Sequence, residues 1–145
     1  TTSLSNTFKH MAIFDTFGKY RNTGLLILRV GLGAMMMVHG LPKIMGGPEM
    51  WAGLGGSMKV IGINFLPTFW GLMAALAEGM GGFLLLLGLF FRPVNMLLAF
   101  TMLIAALVHF GKGEGIMGAS HAIEIGIGFF SLIFIGPGKY SVDGK

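Results

Sequence analysis

The sequence contains no cysteine. That absence removes disulfides, thiolate metal sites and thiol chemistry from consideration. Charge is nearly as scarce, at 11% of the 145 residues, where a soluble domain carries about 25%. A soluble domain is therefore excluded, and 54% hydrophobic residues with a mean hydropathy of +0.78 point to a membrane protein. The opening stretch, "TTSLSNTFKHMAIFDTFGKYRN", holds no unbroken apolar core followed by a small-residue cleavage site. It does not read as a secretory signal peptide. The net charge of +4 is modest and reads as membrane topology, with no nucleic-acid partner expected.

What is present is apolar sequence in span-length runs. A bilayer crossing takes about 20 mostly apolar residues. Four segments qualify, at about 24–45, 67–91, 94–110 and 119–136. Pro93 in "FFRPVN" divides the second from the third, since proline breaks the preceding turn and suits a helix start. Lipid offers no partner to an open sheet edge, so the expected fold is all-α. It is an integral membrane four-helix bundle forming a single domain over residues 1–145. Residues 1–23 are expected as a cytoplasmic segment, in which Phe8, Met11, Phe14 and Phe17 recur every three residues. That pattern suits a short interfacial helix as well as it suits a plain tail. The 46–66 connection, "GGPEMWAGLGGSMKVIGINFL", is too long and too apolar for a solvated loop, and is expected to fold back as a cap over the outer mouth.

Four spans put both termini on one side, with Lys9, Lys19, Arg21, Arg92, Lys139 and Lys145. The other side has Lys59 and Lys112, with Lys43 at its edge, diluted by Glu49 and Glu114. The excess of basic residues predicts cytoplasmic termini and a multi-pass protein of the cell's inner (cytoplasmic) membrane. The chain also repeats itself. "MVHGLPKIMGG" parallels "LVHFGKGEGIMG", and "EGMGGFLLLLGLFFRP" parallels "EIGIGFFSLIFIGPGK". The bundle thus reads as two repeated helical hairpins, in which His39 corresponds to His109 and Glu78 to Glu124.

Ionisable groups inside these spans are costly and call for a partner or a function. At about 1.5 Å per residue, His39 lies roughly 9 Å below the outer end of its span and Glu124 roughly 8 Å below its own. Glu78 is deeper, His109 and His121 lie near the outer ends, and Ser120 is a candidate helix cap. Lys43, Lys112 and Arg92 sit at span ends, where snorkelling is the ordinary explanation. Arg29 is expected either to reach the inner headgroups or to pair with Glu78. His39 and Lys43, four apart, share a helix face, with Glu78 as their counter-group. Two small-residue stripes, Gly71-Ala75-Gly79 and Gly118-Ala122-Gly126, let the glutamate-bearing helices approach their neighbours closely. A di-iron carboxylate site would need two Glu-x-x-His motifs and two further glutamates. Here "HAIE" reverses the order and occurs once, so no metal is expected.

The runs "LLILRVGLGAMMMVHGLPKIMGG", "LAEGMGGFLLLLGLFFRP", "VHFGKG" and "FIGPGKYSVD", in that order and spacing, resemble the DoxX family over residues 24 to 143. The resemblance implies a small four-helix integral membrane protein, related to the membrane subunit of an archaeal thiosulfate:quinone oxidoreductase. Other members are linked to membrane oxidoreductase assemblies and the maturation of redox enzymes. The family's His-Gly and downstream Lys fall on His39, Gly40 and Lys43, its Glu before Gly-Gly on Glu78, and its third-helix His on His109. Nothing here supplies a flavin, haem or sulfur-handling motif, so the chain alone is not expected to complete thiosulfate oxidation.

The leading expectation is a quinone-interacting subunit of an oxidoreductase system. A quinone head group needs hydrogen-bond donors and a proton route. In this scheme His39, His109, Lys43 and Arg29 contact the ligand, and Glu78 and Glu124 handle protons. Met and Phe residues line the isoprenoid path. The chain has no intrinsic redox cofactor, so electrons come from a protein partner that carries one. A second copy of the chain is a further candidate partner. The competing expectation is a non-catalytic scaffold or assembly factor for a membrane redox complex, with small-molecule transport behind both.

Overall fold

The computed structural model describes residues 15–144. A 3-10 turn, Thr16–Tyr20, leads into α1, Arg21–Met45. Helix α2, Gly47–Gly55, and a second 3-10 segment, Gly56–Ile61, follow. Helix α3 spans Pro67–Leu87, α4 spans Phe91–Gly111 and α5 spans Gly115–Ile135. Four of these, α1, α3, α4 and α5, are long and apolar enough to cross a membrane. The chain is a multi-pass membrane protein in contact with lipid. Phe8, Met11 and Phe14 of the expected interfacial pattern lie outside the described residues, while Phe17 is exposed in the first turn.

The spanning helices form a row in contact order, α1–α3–α4–α5, with the tightest pairings inside α1/α3 and α4/α5. One buried apolar core joins residues of all four. Among the described residues, α1 and α5 do not pack along each other. Backbone-close contacts set the α1–α3 spacing. A Cβ on Gly40 would collide with the Gly79 backbone, and one on Gly33 would lie 2.6 Å from the Gly82 carbonyl oxygen. Only glycine allows such an approach. The same device seats α2 on α3, where Gly55 meets Pro67 and Gly71 meets Trp51. The 46–66 connection is thus a helical element lying on α3, latched to α1 by the Trp51 indole N–H, which donates to the Lys43 carbonyl at 2.9 Å.

Three helix starts differ from the sequence reading: α1 begins three residues early, at Arg21, and α4 and α5 also begin early. Helix α4 begins at Phe91, before Pro93, because a proline among the first four residues loses no helical hydrogen bond. Its first amide donates to Asp143 Oδ2 at 2.7 Å, a cap supplied from the far end of the chain. Helix α5 begins at Gly115, and Ser120 is no cap there: its hydroxyl donates to the Met117 carbonyl inside the helix.

The C-terminal segment seals the end of the row where α1 begins and α5 ends. Val142 and Asp143 amides donate to the Leu87 and Gly88 carbonyls at 3.2 and 3.0 Å, and the Lys139 amide to Asn22 Oδ1 at 2.9 Å. Beneath this segment the Arg29 guanidinium is 1% exposed and donates to the Tyr140 carbonyl. Arg29 therefore neither reaches headgroups nor pairs with Glu78.

The glycine contacts predict an asymmetric response to alanine. Gly40→Ala should lower stability by about 1–3 kcal/mol, the usual range for overpacking. Gly31→Ala, on the same helix with open space at its Cβ position, should leave it unchanged or raised. Thermal unfolding of both variants in one detergent checks this. Equal losses would contradict the close approach.

Candidate functional site

Lys43 stands in the last turn of α1 and Glu78 in the middle of α3. The Gly40–Gly79 contact brings these two helices together one turn away, and Lys43 Nζ donates to Glu78 Oε2 at 2.5 Å. The Glu78 side chain is 8% exposed and that of Lys43 31%. The carboxylate is therefore the desolvated member, and the ammonium shields it from the apolar interior. Leaving either charge without the other in such a place is strongly unfavourable.

The pair forms part of the wall of a cavity of about 270 Å³ between α3 and α4, roofed by Leu54, Ser57 and Met58 of the cap. That is slightly below the roughly 300–1,000 Å³ of typical small-molecule pockets. Trp70 lines it from the first turn of α3, and its indole N–H is buried with no acceptor among the described residues. Thr101 also lines it, though its hydroxyl is spent on the Leu97 carbonyl. Met73, Leu97 and Phe100 line the cavity and are also exposed on the outer surface, so it opens sideways between α3 and α4.

His109 reaches the cavity from the last turn of α4, and its Nδ1 is hydrogen-bonded to Glu114 Oε2. That bond, aided by the positive charges of His109 and Lys112, holds the Glu114 carboxyl below the usual carboxylate range. Lys43, Glu78 and His109 thus share one space.

The other expected residues lie elsewhere. His39 is exposed on α1 and is not part of the cavity wall. Arg29 is held under the C-terminal segment. Glu124 is exposed, on the side of α5 away from buried Ala122 and Phe129. Glu78 and Glu124 therefore do not occupy equivalent faces, as the repeated motifs had led one to expect. Trp70 is the cavity group the sequence reading missed. An aromatic residue at a span end reads as an interfacial anchor, and no local signal shows that its N–H lacks an acceptor. Among the described residues, no three His, Asp or Glu side chains gather as a metal site.

The His109–Glu114 link has a definite pH sign. Glu114 is depressed in the folded chain, so the link is complete above its unfolded pKa and is lost as pH falls through the folded value. Carboxyl carbon NMR should place the Glu114 midpoint below the ordinary value of about 4.3. His109→Asn should raise it toward that value, with Lys112 still holding it slightly lower. A midpoint indifferent to His109 would contradict the assignment.

Comparison with known proteins now bears on this arrangement. The DoxX family model matches residues 24–111, more than half of the chain. The inner membrane protein YqjF of Escherichia coli K12 is 31% identical over 128 residues, covering 86% of this chain and 93% of its own. The inner membrane protein YphA of the same organism is 29% identical over 141 residues, covering 90% and 94%. The Bacillus subtilis 168 protein named "Putative oxidoreductase CatD" is 38% identical over 80 residues, covering 55% and 54%. No solved structure matches. With four spanning helices, a matching family model and a relative aligned over nearly its whole length, the chain belongs to the DoxX family.

Proposed function

We propose that the chain is a quinone-interacting subunit of a membrane oxidoreductase system, with the head group held in the cavity between α3 and α4. The observation that carries this reading is the buried indole N–H of Trp70, a cavity-lining residue, which has no acceptor among the described residues. A buried donor left unpaired costs about 1–3 kcal/mol, and a ligand carbonyl removes that cost. The remaining groups fit the same ligand. Lys43 and His109 add polar atoms at the wall, and the rest of the lining is mostly apolar, with Met and Phe side chains. The sideways opening admits a ligand dissolved in lipid.

A bound quinone would supply the electron- and proton-accepting chemistry that these side chains lack. The chain's own part is to bind and to manage protons. Trp70 donates to a carbonyl, and Lys43 holds the Glu78 carboxylate in place through Oε2. Glu78 is then placed to hold or pass on a proton. Electrons come from a partner protein with its own redox cofactor; the name of CatD supports only the oxidoreductase setting. The names of YqjF and YphA support the inner membrane as the location. Lys19, Arg21, Arg92 and Lys139 lie at the terminal end of the row, which supports cytoplasmic termini.

Lipid extraction and mass spectrometry of the protein purified in mild detergent should find about one quinone per chain. Trp70→Phe should lower its occupancy about three- to tenfold, as expected for one lost hydrogen bond. Glu78→Gln should fold, retain the ligand and lose turnover in its complex. Wild-type protein free of quinone would overturn the proposal, as would full activity in Glu78→Gln, the result a scaffold would give.

A further inference from the structure

Most ionisable groups within the spans have a partner inside the chain. Arg29 has the Tyr140 carbonyl, Lys43 and Glu78 have each other, and Arg92 donates to the Ile133 carbonyl at 3.0 Å. Among the described residues His39, His121 and Glu124 have none, and Glu124 lies nearest mid-span. It is the tenth of the 21 residues of α5, about 14 Å from the Gly115 end and so at mid-span. It is exposed, and among the described residues it has no hydrogen bond or ion pair. A polar group in hydrocarbon without a partner is costly, and Glu is rare on such a face.

The surroundings of Glu124 form a surface fit for another helix. Ser120, Gly128 and Ser131 fall on the same side, at spacings of four, four and three. A Cβ added at Gly128 would meet nothing within 4 Å, so the chain's own helices leave this face open. Helix α5 is also the least covered of the four spans. Among the described residues it packs along α4 and meets α1 through the Arg21 guanidinium, which donates to the Ile135 carbonyl at 3.0 Å. Of its apolar stretch 22% is buried, against 44% for α3.

We propose that this face of α5 packs against α5 of a second copy, about a two-fold axis along the membrane normal, with the Glu124 carboxyls facing each other. Two copies insert with the same topology, so identical residues meet at identical depth. A carboxyl group carrying its proton offers a donor and an acceptor together, so a copy of itself satisfies it. A helix from another protein would need a complementary group at that same depth, whereas the two-fold supplies one automatically. Gly128, one turn further along, lets the backbones approach, and Ser131 adds a hydroxyl across the axis. The inference does not depend on what the α3–α4 cavity binds.

The absence of native cysteine makes the test clean. Single variants Gly128→Cys and Ser131→Cys, oxidised in native membranes, should give a disulfide-linked species at twice the chain mass. Ile27→Cys, on the exposed face of α1, should not. In detergent, Glu124→Leu should weaken dimerisation about tenfold or more, while Glu124→Gln, which keeps its hydrogen-bonding groups, should stay close to wild type. No cross-link from either α5 position, cross-links to a protein of another mass, or wild-type assembly in Glu124→Leu would each overturn the proposal.

Discussion

The glycine contact between α1 and α3 is the constraint on which the rest of the structure depends. With Gly33 against Gly82 and Gly40 against Gly79, the two backbones touch without intervening side chains. That spacing lets a lysine on the last turn of one helix reach a carboxylate in the middle of the other. A wider separation would leave Glu78 desolvated and alone. The same helix, α3, accepts the cap through Gly71 and Gly55, and the cap roofs the cavity beside the ion pair. One helix thus organises the site. It can do so because its buried face is mostly glycine and alanine.

The two ends of the row have different chemistry. At the terminal end, Arg29, Asn22 and Asp143 are used to fasten the C-terminal segment over the α3–α4 turn. Their partners are mostly backbone atoms, so these charges act as clamps. At the opposite end, Lys43, Glu78, His109 and Trp70 border open space. An apolar chamber with a few polar contacts, of the kind that suits a small-molecule ligand, is found there.

The helical architecture was legible because span length and hydropathy are local properties. The Lys43–Glu78 pairing was legible too, since a mid-span carboxylate requires a counter-group and few cations lie at reachable depth. Facing direction was harder to read. Helices α3, α4 and α5 are apolar nearly all round, so no periodicity reveals which side meets a neighbour. His39 and Glu124 were consequently placed inside when they lie outside. Equivalent motifs did not guarantee equivalent surroundings: the Val-His pair ending α4 borders the cavity, while its counterpart in α1 does not. The partner of Arg29 is a backbone carbonyl 111 residues away, which no side-chain pattern announces.

A double-mutant cycle on Lys43 and Glu78 tests the central claim most directly. Thermal stability and cavity-ligand occupancy would be measured for Lys43→Met, Glu78→Gln and the double variant in the same lipid–detergent mixture. Each single change removes one charge and strands the other, while the double change strands none. The account predicts a coupling of about 1–2 kcal/mol, with the double variant no worse than the more damaging single one. Effects that simply add, to within about 0.5 kcal/mol, would contradict it and show that the two groups do not depend on each other.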